Sequence, residues 1–290
     1  MHQSPAVYSP RLDRDGIWNG LKERATYATS NAQRPVVRLT VSGKTPGQPL
    51  TAGTTPAFDA RVLGTAPIDH IDVIHNGSVA YRRDYLTPSA SGGKTAVQVM
   101  LHTGTETKGD DVASPLGGAG WGGWIEVEGA RITSIAPLSV DHVTDEFHQV
   151  DPRRVWFTCR TRGDFDGVLL HLDSVPGDAR VRVIVSDLTG SAGGTGASGY
   201  IVRPPGPPVR DALHEASFLL RDIAAKPGES KVRDNAWVYA RHVRAEGEWN
   251  VGFQYRPAQA PKQDDYFYLR VVQVDGEAAW VSPVWIGEKQ

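Results

Sequence analysis

Cysteine is almost absent from this chain. One residue, Cys159, in 290 excludes an internal disulfide framework and any thiolate metal cluster. Its flanks, Val155, Trp156, Phe157 and Thr158, read as a strand, so a packed core thiol is expected rather than a nucleophile. No run of about 18 apolar residues occurs and no charged-then-apolar leader opens the chain, so a soluble, cytoplasmic protein is expected. Neither sign of charge dominates: 31 basic and 33 acidic residues are interspersed and the formal net charge is −2. That balance argues against a nucleic-acid surface or a polybasic membrane patch. A Gly-x-Ser-x-Gly elbow is missing too, which leaves serine chemistry without its strained turn.

Helical periodicity is scarce as well. Period-2 alternation recurs instead, with β-branched enrichment, over residues 36–41, 57–63, 70–74, 78–85, 96–101, 124–127, 155–160, 168–172, 180–186, 200–202, 237–243, 250–255, 266–274 and 279–286. With 31 Gly and 20 Pro as punctuation, the reading is mainly β: two β-sandwich units, Ig-like or jelly-roll-like, preceded by one short N-terminal helix. The length suits two domains. Residues 1–34 are expected to be the helix and a linker, 35–118 with 256–290 an Ig-like sandwich, and 119–255 an inserted second sandwich.

Asn76 and Gly77 between alternating runs predict a type I′ hairpin, and this turn reading prevails over a glycosylation sequon at Asn76. Asp13 or Asp15 can cap the helix, with Ile17, Trp18, Leu21 and Ala25 along one face. So apolar a stripe on so short a helix needs a cover, and Ile17, Trp18 and Leu21 are therefore candidates for docking. Residues 210–225 are ambiguous between a short helix and a buried strand around 216–220, with the strand preferred. Residues 103–123 and 189–199 are long loops of small residues, either binding loops or linkers.

Several motifs invite chemistry. Gly118, Gly120 and Gly123 satisfy the spacing of a dinucleotide fingerprint, but a strand pattern follows where a helix is required. Gly43 to Thr45 and Gly93 to Thr95 resemble the end of a phosphate loop without its first glycine, and read as turns. Asp164 and Asp166 before Gly167 begin like a calcium loop but lack the later Glu. His171 and His242, each within a strand pattern, read as structural. His142 and His148, among Asp141, Asp145 and Glu146, are all of metal-ligand type at a spacing that matches no standard motif; a solvated loop is the plainer reading. Trp121 and Trp124, near Trp156, offer faces on which sugar rings could stack, against the alternative that they fill a sandwich core.

Residues 16–24, with Gly16, Ile17, Trp18, Leu21 and Arg24, run into 26–30. This stretch resembles the C-terminal edge of the metal-hydrolase domain in a family related to the polymerase and histidinol phosphatase (PHP) superfamily. Residues 61–77 are similar to that family's first sandwich after the catalytic domain, and 266–271 with 279–285 to its closing strands. The resemblance covers about a third of the chain. It implies a metal-dependent phosphoesterase whose His-x-His ligands belong to an upstream domain, so no catalytic or metal residue of the family falls within these residues. On this reading the chain itself carries no cofactor, a divalent metal being implied only for the catalytic domain. The expected role is a non-catalytic sandwich region that supports or gates such a domain. The expected partner is that domain or, through the helix, a second copy. Alternatives are a free-standing carbohydrate- or ligand-binding protein using Trp121 and Trp124, and an autonomous metal-dependent hydrolase using His142 and His148.

Overall fold

The computed structural model describes residues 3–30, 34–86, 95–103, 119–140, 145–161, 165–173, 176–189, 207–233, 235–244 and 248–287. The chain opens with β1 (Gln3–Val7), α1 (Arg14–Lys22), β2 (Thr26–Ser30), β3 (Val36–Val41), β4 (Phe58–Leu63), β5 (Ile68–His75) and β6 (Ser78–Asp84). It continues with β7 (Thr95–Thr103), β8 (Ala119–Glu128), β9 (Arg131–Leu138), β10 (Glu146–Asp151), β11 (Arg154–Thr161), β12 (Phe165–Asp173) and β13 (Arg180–Thr189). Then come β14 (His214–Leu219), α2 (Leu220–Ala225), β15 (Gly228–Arg233), β16 (Ala236–Arg244), β17 (Asn250–Tyr255), β18 (Tyr266–Gln273), β19 (Ala278–Val281) and β20 (Val284–Trp285).

Two compact units result, one made of 1–86 with 247–290 and the other of 87–246. In the first, a seven-stranded sheet of order β1-β2-β19-β18-β5-β6, with β20 also on β18, faces a three-stranded sheet β17-β4-β3. Strict alternation drives it: Val37, Leu39 and Val41 of β3 and Phe58, Ala60 and Val62 of β4 are buried while their neighbours are exposed. They share one core with Ile71, Val73, Phe253, Leu269 and Val271. The second unit pairs two five-stranded sheets, β10-β11-β8-β13-β14 and β15-β16-β7-β12-β9, around Val97, Val99, Trp121, Phe157, Cys159, Leu170, Val183 and Val238. All the named pairings are antiparallel, which lets each sheet bury one face and solvate the other.

The mainly β, sandwich-rich reading therefore holds, with differences in detail. The division falls at 86/87 and 246/247 rather than 118/119 and 255/256, because β7 pairs with β12 and β16 in the second unit while β17 pairs with β4 in the first. Residues 3–30 are more than a helix and a linker: β1 precedes the helix, pairs with β2, and β2 joins the sheet through β19. The 279–286 run is two strands, interrupted at Ser282 and Pro283 where proline has no donor for the ladder. The ambiguous 210–225 stretch is both of its candidates in succession, β14 and then α2.

Asn76 and Gly77 adopt φ of 49° and 83°, as a type I′ turn requires. Asn76 Nδ2 also donates to Asp265 Oδ1 at 2.8 Å, and the Tyr266 N–H donates to Asn76 Oδ1 at 3.0 Å, fastening the hairpin to the start of β18. Gly43 lies in a tight turn with φ of 79°, its flanking residues Val41 and Lys44 exchanging backbone bonds. Of the glycines of the supposed dinucleotide fingerprint, Gly118 lies outside the described residues while Gly120 and Gly123 lie within β8, and at Gly123 a side chain would meet Ile184 O at 2.1 Å and Phe157 Cζ at 2.8 Å. The 200–202 strand, Gly93, Asp164 and most of the two long loops lie outside the described residues.

Candidate functional site

Helix α1 is built by its ends. Asp13 is the N-cap, accepting from the Gly16 N–H at 2.7 Å, and Asp15 sits in the first turn. At the other end the Ala25 N–H reaches Gly20 O and the Arg24 N–H reaches Leu21 O, a Schellman arrangement with Arg24 at φ 57° where glycine is usual. Between the ends, Gly16 and Gly20, four apart on one face, are its buried residues. A Cβ at Gly20 would meet Val7 Cγ1 at 2.5 Å and Tyr8 O at 2.7 Å, and one at Gly16 would meet Arg11 O at 2.5 Å.

The helix thus lies on its own chain by its glycine side. Its apolar side is turned away: Ile17 is 39 % exposed, Trp18 60 % and Leu21 47 %. With Arg14 and Asp15 these side chains border a shallow open hollow. Ile17, Trp18 and Leu21 are together on one face as their spacing predicts, and among the described residues of the first unit nothing closes over them; Ala25, the fourth residue of the expected stripe, lies beyond the helix and is buried.

The indoles are placed otherwise. Trp121 is wholly buried in the second unit's core and its Nε1 donates to Thr161 Oγ1 at 2.8 Å. Trp124 is 7 % exposed on the opposite face of β8. Its Nε1 donates to Pro208 O at 3.0 Å, Arg210 lies over its ring at 5.2 Å, and Trp156 and Ile184 pack beside it. A stacking platform needs an open indole face, so the expectation that Trp121 and Trp124 bind sugar is corrected: burial places the first in the core, and a covering segment closes the second.

His148 of β10 is exposed and stacks on Trp156 at 5.5 Å, in an open cleft with Pro137, Val140 and Asp145. His142 lies outside the described residues. Among those described, no group of three or more His, Cys, Asp or Glu is arranged to hold a metal ion. His171 and His242 lie on β12 and β16, and burial pushes the His242 imidazole below its ordinary value.

Two polar clusters escaped the sequence reading, one assembled by strand register and the other folded into a turn. Asp72 of β5 has no solvent exposure and lies directly between Arg82 of β6 and Arg270 of β18. Burial would raise its pKa, but the hydrogen bonds from both guanidiniums outweigh that and hold it below the usual carboxylate value. At the β18–β19 turn, burial pushes the Asp275 carboxyl up to about 6, with Glu277 adding to the rise. The Glu277 N–H and Gln273 Nε2 donate to Asp275 at 3.0 and 3.3 Å, while Ser30 Oγ donates to Glu277.

The fold and this helix face define a mainly β protein of two sandwich units with an uncovered amphipathic helix on the first. No family model matches the chain, and neither the curated proteins nor the solved structures contain a significant match. No helix among the described residues is long and apolar enough to cross a membrane.

Proposed function

We propose that these two sandwiches form a non-catalytic supporting region of a PHP-like, metal-dependent phosphoesterase system. In this reading α1 docks the chain onto the catalytic domain. The supporting observation is the outward stripe of Ile17, Trp18 and Leu21, 39 %, 60 % and 47 % exposed, on a helix whose opposite side is fixed by glycine contacts. Large apolar residues grouped on one face and left in water mark an interaction surface, whereas scattered ones do not. Its small extent suits a domain contact reinforced by other surfaces. The resemblance of residues 16–30 to the edge of the family's hydrolase domain points to that domain as the occupant.

The test is co-expression with the polypeptide encoded immediately upstream of the Met1 codon, followed by sedimentation of the purified material. A wild-type complex with a His-x-His α/β domain, lost in Trp18→Glu, is the expected result. A neighbouring frame without such a domain, or a complex untouched by Trp18→Glu, would sink the proposal. Self-association of the chain alone, abolished by the same substitution, would reassign the face to a homo-oligomer.

A further inference from the structure

The outer face of the three-stranded sheet carries a like-charge pair without compensation. Arg38 of β3 and Arg61 of β4 are directly opposite in register, both exposed on the solvent side of the sheet. Directly opposed residues of antiparallel strands share a face with Cβ atoms roughly 5 Å apart, and like charges there are destabilising. Neither guanidinium has an ion pair or hydrogen bond among the described residues. The acidic neighbour one row along, Asp59, is engaged by Gln254 Nε2 at 3.4 Å.

On the far side of Arg61 the row ends at Gly252 of β17, where an added Cβ would meet nothing within 4 Å. Glycine in a strand loses the packing of a side chain and adds conformational entropy to the unfolded state, and no close backbone approach requires it here. The adjoining row presents two exposed apolar side chains, Val36 at 43 % and Leu63 at 52 %, again in direct register. Two costly choices, a repelling pair and a bare glycine, therefore sit side by side next to an apolar strip.

We propose that this face binds the dianionic phosphate of a small phosphate ester. The Arg38 and Arg61 guanidiniums grip its oxygens, the open floor at Gly252 admits the phosphate, and Val36 and Leu63 receive the apolar body. Guanidinium forks match phosphate oxygens in pairs, and one dianion neutralises the two charges that repel each other when the site is empty. The inference is independent of the docking role of α1, since it uses other strands and another chemistry.

The test is titration of the full chain with phenyl phosphate at pH 8 and constant ionic strength, followed by calorimetry and by the arginine side-chain NMR signals. Saturable binding that shifts the Arg38 and Arg61 signals is expected, weakened at least tenfold in both Arg38→Gln and Arg61→Gln. Inorganic phosphate should bind at the same place several-fold more weakly, because it leaves Val36 and Leu63 uncovered. Gly252→Val separates ligand from fold: a β-branched residue suits a strand, so the variant should melt no lower than wild type yet lose phenyl phosphate. Absence of saturable binding would overturn the proposal. So would binding indifferent to either arginine, inorganic phosphate as tight as the ester, or full binding by a folded Gly252→Val.

Discussion

Arg270 donates two hydrogen bonds, of 3.1 and 2.6 Å, to the same oxygen of Asp72, Oδ2. Arg82, from the other neighbouring strand, donates to Oδ1 at 2.7 Å and to Oδ2 at 3.0 Å. A fully buried carboxylate is tolerated because two cations flank it in register. Removing one cation leaves it under-compensated. Arg270→Met is expected to destabilise the chain by about 2–3 kcal/mol, below the full cost of orphaning a buried charge because Arg82 remains. Urea unfolding of the variant against wild type measures it; a change under about 0.5 kcal/mol would contradict the role given to Arg270.

The same carboxyl gives a pH dependence. Its folded pKa lies below the ordinary value, so its contribution to stability is present above the unfolded pKa and is lost as pH falls through the folded one. The stabilities of wild type and Asp72→Asn, measured by urea unfolding across pH, should therefore differ by a constant amount above about pH 4 and draw together as pH falls below it.

Asp275 behaves in the opposite sense. With a folded pKa of about 6 against about 3.9 unfolded, the folded state holds the proton more tightly between those values. Stability therefore falls as pH rises through that window, and the penalty is complete above it. Asp275→Asn removes the charge while keeping an acceptor for the Glu277 N–H. It should raise stability at pH 7.5 by about 1–3 kcal/mol and flatten the profile between pH 4 and 6. A variant less stable than wild type at both ends of the range would show that the carboxylate is required as such.

On α1, the two faces should respond oppositely. Trp18→Glu changes an exposed side chain and is expected to alter stability by no more than about 0.5 kcal/mol. Gly20→Ala places a Cβ against Val7 and Tyr8 and should cost about 1–3 kcal/mol despite alanine's better helix propensity. Thermal melts of both variants decide the point, and equal effects would contradict the placement of the helix on its glycine side.

Trp121→Phe deletes a buried donor to Thr161 and leaves a void in the second core, with an expected loss of about 2–4 kcal/mol. The difference in emission between wild type and the variant, which isolates Trp121 among the eight tryptophans, should be blue-shifted in the native state and unmoved by added oligosaccharides, as befits an indole out of contact with solvent.

Much of the architecture is legible in the chain because burial on one face writes a period of two into the sequence. Val36 to Val41 and Asn250 to Tyr255 are found with their bounds intact for that reason. The strands that escape notice are those whose sequence shows no such alternation of strong β formers. Gly228–Arg233 opens with Gly, Glu, Ser and Lys in succession and has Val232 as its single strong β former, and Gln3–Val7 contains Pro5. The helix shows its caps and its apolar stripe in sequence, but which side faces inward does not follow from the stripe. Gly16 and Gly20 decide it by permitting an approach that no larger residue allows. Indole exposure at Trp121 and Trp124 is equally hidden, because successive odd and even positions of β8 face different surroundings. The Asp72 cluster and the Arg38/Arg61 pair depend on register between strands up to 198 residues apart, which no local pattern encodes.

That separation also sets an order of assembly. Strands β5 and β18 are neighbours in one sheet, yet the whole second unit is synthesised between them. As the chain emerges from the ribosome, Asp72 meets Arg82 across a tight hairpin early and must wait for Arg270 until some 200 residues later. The inserted unit, continuous in sequence, can close its own core during that interval, while the first sandwich stays open along β4 and β5. Long-range pairing of this kind slows folding and leaves strand edges available to wrong partners. The charged cluster on β5 and β6 marks the waiting edge, because the Asp72 carboxylate, already held by Arg82, is matched on both sides when β18 brings Arg270 alongside.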